Sequence, residues 1–139
     1  MPGYSWHVRG LIVEHTPGFS SSYTLNGWVM GDHPQMKGEN SEKFYRTMDE
    51  AGGEVPLFSE GTGPLVMPQS SDTAPKDLYY GGQSGRGLSR LCIDRYNKGA
   101  NHVALMDGSV SSVGLRDLWK LKWHREWETP SSLPRMPKE

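Results

Sequence analysis

Asp94, Asn97, Asn101 and Asp107 come nearest, by type and spacing, to a set of residues that could hold a metal. Hard oxygen donors gathered at one end of a hairpin would suit calcium, which favours a cage of carboxylate and carbonyl oxygens. The competing reading is local. Asp107-Gly108 is first of all a two-residue hairpin turn, and no loop carries ligands at EF-hand spacing. Beyond this calcium option the sequence indicates no cofactor.

Other reactive side chains give weaker patterns. Histidines stand at 7, 15, 33, 102 and 124, but none has a partner one helical turn away and no His-Glu-x-x-His pattern occurs. Cys92 is the single cysteine, so no intrachain disulfide can form. It sits among apolar neighbours without a Gly-x-Ser-x-Gly elbow elsewhere, which favours a buried structural thiol over a nucleophile. The glycine run from Gly81 to Gly87 lacks the Gly-Lys-Ser/Thr ending of a phosphate loop and reads as flexible chain. No catalytic residue is assigned, and the expectation is a protein that is not an enzyme.

Trp119, Trp123 and Trp127, with Lys122 and Arg125 beside them, form the strongest candidate for recognition. Placed on a helix over residues 115–127, the leucines and tryptophans span an apolar arc of roughly 240°, too broad for one face on one sheet. Either the tail from Pro130 to Met136 folds over the tryptophan side, or that side meets a protein partner or a second copy. Large aromatics that fill a small core are the plainer account of the same residues.

Composition bounds the remaining options. A chain of 139 residues makes one domain with a modest core. Its 17 glycines, 10 prolines and 35% hydrophobic content call for many turns. Fifteen basic against 16 acidic side chains give no electrostatic support to a nucleic-acid partner. The sequence has neither a signal-peptide pattern nor an apolar run of membrane-spanning length, so a membrane role would need a helix that is not in it.

Alternation and turn residues predict strands over residues 6–13 and 22–30, separated by a turn at Thr16-Pro17-Gly18 and ended by Gly31-Asp32-His33-Pro34. A helix is expected over residues 41–51, capped by Asn40 or Ser41 and stopped by Gly52-Gly53. A short strand follows at residues 55–59, then a long surface loop over 61–87. Residues 88–113 are expected to form a three-stranded antiparallel meander with turns at Asn97 to Gly99 and at Asp107-Gly108. The fold class is therefore α+β: a small antiparallel sheet, a short middle helix, and a tryptophan-rich C-terminal helix before a Pro-rich tail.

Several of these pieces stand in an order that resembles one bacterial family. They are Ser22-Tyr23, Asn26-Gly27-Trp28-Val29, Pro56-Leu57-Phe58, Asp94-Arg95-Tyr96-Asn97, Asp107-Gly108-Ser109-Val110 and the run Leu118-Trp119 to Arg125. Together they resemble the prepilin-like, type II secretion-associated proteins, whose C-terminal signature is His, nine residues, then Asp-Gly. The signature histidine is absent: the spacing reaches Asn97, beside Tyr96. The pilin-type N-terminal helix is absent too, and residues 61–87 match nothing in the family. The resemblance implies a pseudopilin-like head with a structural or interaction role in an envelope apparatus, soluble as written and located by resemblance in the cell envelope or exported. The alternative is a small ligand-binding or enzymatic domain with residues 61–87 as a lid.

Overall fold

The computed structural model describes residues 6–7, 20–21, 23–31, 41–82 and 85–138. Expectations for residues 8–19, for the 32–34 turn, for Asn40 and for Gln83-Ser84 lie outside these. β1 (Trp6–His7) and β2 (Ser20–Ser21) pair antiparallel. The main sheet contains β3 (Tyr23–Asn26), β4 (Pro56–Glu60), β5 (Leu65–Val66), β6 (Ala100–Leu105) and β7 (Val110–Gly114), in the order β5-β3-β4-β6-β7. All neighbours are antiparallel except β3 and β5, which run parallel. With α1 (Met48–Ala51) and several 3-10 turns, this is a small α+β fold.

The β6–β7 hairpin follows directly from its residues. Val103 alternates with His102 and Ala104, and Gly108 takes a φ of +86° at the turn. Asp107 accepts bonds from the Ser109 amide at 2.8 Å and hydroxyl at 2.6 Å, which hold its carboxyl below the usual carboxylate range. At the other end Asn97 and Gly99 adopt the expected positive φ, and Asp94 Oδ1 accepts from the Lys98 and Gly99 amides.

Several expected elements are corrected. The strand expected over residues 22–30 ends at Asn26, whose side-chain oxygen accepts from Trp28 N and caps a 3-10 turn over Gly27–Val29. Residues 88–91 form a 3-10 turn, Leu88–Leu91, so β4 and not this segment completes the meander. Its two leucines are both fully buried, and their spacing of three brings them to one side of a three-residue turn, where a strand would have opposed them. The middle helix shrinks to α1. Phe44 and Tyr45 are adjacent and both buried, a pairing that a surface helix cannot satisfy, and Tyr45 N bonds instead to Trp28 O at 3.0 Å. Thr47 caps the short helix at the Glu50 amide, and Gly52 ends it at a φ of +72°.

The C-terminal helix also stops early, as a 3-10 turn over Leu115–Lys120 that leaves in extended conformation at Leu121. Leu115, Leu118 and Trp119 are buried on it. The tail then returns across the tryptophan side, where Trp127, Leu133 and Met136 pack against the core and Arg116 bonds to Leu133 O.

The core is aromatic and its backbone is stitched by side chains. Trp28 Nε1 donates to Pro68 O at 2.8 Å, Trp119 Nε1 to Asp72 O at 2.9 Å, Trp123 Nε1 to Leu118 O at 2.8 Å and Trp127 Nε1 to Trp119 O at 3.1 Å. The first two of these bonds tie residues 61–87 onto the core, and Val66 within that segment is fully buried. Burial raises the Asp72 carboxyl above its ordinary value, opposed by bonds from the Gln69 and Leu88 amides. Val66, Pro68 and Asp72 thus bring the first part of this segment onto the core, while Lys76, Asp77, Tyr79 and Tyr80 further along it are exposed.

Asn101 is the central stitch. It is fully buried, accepts from Glu60 N at 3.1 Å and donates to Glu60 O at 2.8 Å and Leu91 O at 2.7 Å. Asn101→Leu keeps the branched outline of the side chain but strands these backbone groups. Urea unfolding is expected to show a loss of about 2–5 kcal/mol. A loss below about 0.5 kcal/mol would mean that the bonds do not hold the sheet to the 3-10 turn.

Candidate functional site

One face of the sheet packs on the core and carries Thr24, Asn26, Ser59, Asn101 and Val103, all buried. The other face is open among the described residues. The register sets Tyr23 opposite Glu60, Leu25 opposite Phe58, Phe58 opposite Ala104, Ala104 opposite Val110 and His102 opposite Ser112. Tyr23 is 59% exposed, Phe58 44%, Val110 66%, and Tyr96, from the turn before β6, 52%. Four large apolar or aromatic side chains thus share one exposed surface, a grouping that marks contact sites on soluble domains.

A carboxylate is set into this aromatic surface. The Glu60 side chain is only 4% exposed. Its Oε1 accepts the Tyr96 hydroxyl at 3.0 Å, and its Oε2 lies 3.2 Å from both the backbone N–H and Nδ1 of His102. The acidic acceptor draws the Nδ1–H of the ring towards Glu60 and fixes the ring's orientation. The Tyr96 and His102 rings meet edge to face, 5.4 Å between centroids. The bond to Glu60 is also the main reason that the Tyr96 phenol is held above its ordinary value, with the Glu60 charge second.

Chemically, a carboxylate-oriented imidazole is the arrangement of a general base or a metal ligand. Neither use is completed nearby. Ser112 stands across from His102, but no hydrogen bond joins them. No cluster of three or more His, Cys, Asp or Glu suited to a metal forms among the described residues. A cavity of about 250 Å³ exists elsewhere, lined by Val29, Met30, Tyr45, Met48, Ala51 and Met106 among others, and shares no residue with this cluster. The cluster instead fixes the shape of the face: a buried charge is neutralised by fixed donors, and two rings are held in place around it.

The residues singled out in the sequence are dispersed by the fold. Asp94 is committed to its own turn, Asn97 forms the positive-φ corner, Asn101 points into the core, and Asp107 lies at the far end of β6. At about 3.3 Å per residue the two ends of β6 are roughly 17 Å apart, so these four residues do not converge on one cation. Trp119 and Trp123 are fully buried and Trp127 is half-buried, so the three make no surface stripe. Arg125 is tied to Glu50 by a 2.6 Å ion pair and to Glu42 O, while Lys122 is exposed. Burial drives the Cys92 thiol up to about 12, with Asp72 adding to the shift, so it is not poised as a nucleophile. Glu60 was not anticipated. Its partners are remote in sequence, and the run Phe58-Ser59-Glu60-Gly61 gives no sign that the acid faces inward among rings.

Comparison with known proteins gives little. No protein-family profile matches the chain, and no solved structure matches it. One curated similarity is Protein HIGH ARSENIC CONTENT 1, mitochondrial, of Arabidopsis thaliana, 27% identical over 121 residues and covering 76% of this chain and 71% of that protein. These findings overturn the secretion-associated reading. The similarity found is to a plant protein named as mitochondrial, with nothing from the prepilin-like or type II secretion families. The pseudopilin identity, the structural role in an envelope apparatus and the envelope or exported location fall with it.

Of the histidines, His7 lies in β1, His15 and His33 lie outside the described residues, His102 is exposed and His124 is enclosed. It is 3% exposed, sits edge to face between Trp28 and Trp127, and its Nδ1 has no partner among the described residues. Burial lowers its pKa from 6.5 to about 4, helped by the Lys43 charge and opposed by Glu42. The unfolded chain therefore binds this proton more readily than the folded one. Stability is full above pH 6.5 and declines as pH falls from there towards 4, by up to about 3 kcal/mol. His124→Phe should flatten that part of the pH profile in thermal melts. An unchanged slope would place the acid sensitivity elsewhere.

Proposed function

We propose that this chain acts by binding and not by catalysis, and that the open face of the main sheet receives a protein partner. The observation that carries this reading is the shared exposure of Tyr23, Phe58, Tyr96 and Val110 around an internally satisfied Glu60. Aromatic residues held rigid by neighbours lose little conformational freedom on contact, which is why Tyr and Trp recur at the centre of interfaces. Glu60 and the His102 backbone rigidify the platform without spending an exposed charge. The near-neutral chain favours a protein over a nucleic acid as the ligand.

Phe58→Glu places a charge in the middle of the face and is expected to leave the melting temperature within a few degrees, because Phe58 is already partly solvated. Capture of partner from the native cell extract should fall by at least about tenfold, equivalent to roughly 1.4 kcal/mol. Met48→Glu, a comparably exposed apolar site on α1 away from the face, should leave capture intact. Equal behaviour of the two variants would remove the face from the binding reaction.

A further inference from the structure

The main sheet has two edges, and they are treated differently. At one, β5 is only two residues long, Val66 is fully buried, and the next amide, Met67 N, bonds to Arg86 O at 2.6 Å, so the chain closes its own edge. At the other, β7 runs for five residues, Val110–Gly114, and contains no charged residue and no proline. Val110, Ser111 and Ser112 are all exposed. Lysine, proline and very short strands are the usual guards of a sheet edge, and β7 has none of them.

The hydrogen-bond phase of the hairpin shows which groups the edge presents. Leu105 N bonds to Ser109 O and Leu115 N to Gly99 O, both at 2.9 Å, which fixes these as hydrogen-bonded pairs at the two ends of the ladder. Counting inward through the register, Ser111 and Val113 turn their amides and carbonyls towards β6. Those of Val110 and Ser112 and the amide of Gly114 turn away from it and have no partner among the described residues, while the Gly114 carbonyl caps the 3-10 turn over Leu115–Lys120.

We infer that β7 is a pairing edge for a second copy of this chain, with two β7 strands running antiparallel about a twofold axis at Ser112. The outward positions of the strand are symmetric about that residue. A rotated copy therefore sets Val110 against Gly114, Ser112 against Ser112 and Gly114 against Val110, and the outward amides of Ser112 and Gly114 in each strand meet free carbonyls of Ser112 and Val110 in the other. The side chains agree: the exposed valine of one strand lies beside the glycine of the other, no like charges face each other, and the five-stranded sheets join into one continuous surface. A charged peptide would find no charge on β7 to recognise. The inference goes beyond the face, because it depends on backbone groups of the edge and not on Phe58 or Tyr96.

A strand edge alone makes an interface below the usual size for a stable complex, so the dimer is expected to be weak and to form as concentration rises from micromolar towards millimolar. Sedimentation velocity over that range should show it, and the amide signals of Val110, Ser112 and Gly114 should shift with concentration while those of Ser111 and Val113 stay still. Ser112→Pro removes a donor that β6 does not use and should raise the dimer dissociation constant at least about tenfold. Should that variant misfold, Val110→Lys, which installs an edge charge, carries the same expectation. Phe58→Glu should leave the dimer unchanged, so loss of dimer in Phe58→Glu alone would assign pairing to the face. A wild-type chain that stays monomeric throughout, or a dimer indifferent to the folded edge variants, overturns the inference.

Discussion

Buried backbone polar groups must find partners, and this fold has too little regular structure to supply them through ladders alone. α1 has four residues, β5 has two, and the remaining helical pieces are 3-10 turns. The missing partners are side chains. Asn26 donates to Pro56 O and Trp123 O and accepts from Trp28 N, Asn101 ties Glu60 to Leu91, and the indoles of Trp28, Trp119 and Trp123 each reach a carbonyl. The aromatic core is thus also a hydrogen-bonding frame. That explains why irregular stretches such as residues 67–75 can be held against it without strands or helices of their own.

Seen this way, the legible and illegible parts of the sequence separate on physical grounds. Local rules carried the β6–β7 hairpin, the positive φ at Asn97 and Gly99, the strand entered at Pro56 and the helix stop at Gly52, because each depends on neighbours in sequence. The turn at Leu88–Leu91 escaped because leucines three apart fit both an irregular strand and a 3-10 turn, and the choice is made by remote bonds to Asp72 and Asn101. The C-terminal tryptophans read as a helix with too much apolar surface, yet the excess disappears once the chain leaves the helix at Leu121 and the tail turns back. The proposed oxygen-ligand set failed for a geometric reason: its members sit at opposite ends of one strand or inside the core.

The site that did emerge inverts the usual relation between charge and surface. Glu60 is withdrawn and satisfied, while Tyr23, Phe58 and Tyr96 stand outside it. A carboxylate buried on this face would be costly unless both oxygens were answered, and the Tyr96 hydroxyl, the His102 amide and the His102 ring answer them. The acid therefore organises the rings around it without itself being offered to solvent. Because Tyr96 and His102 come from the segment before β6 and from β6 itself, the face exists only when the sheet is assembled.

The bond from Asn26 to the carbonyl of Trp123 joins residues 97 positions apart. On the ribosome, the third strand is made long before the group that completes its buried amide. Hydrophobic collapse around Trp28 can begin during synthesis, and Asn26 can reach Pro56 O, yet its amide lacks the second acceptor until Trp123 emerges. Emergence of Trp123, not the local propensity of the third strand, therefore limits when this amide gains its full set of acceptors, and a polypeptide stalled before Trp123 would present its aromatic interior to chaperones and proteases.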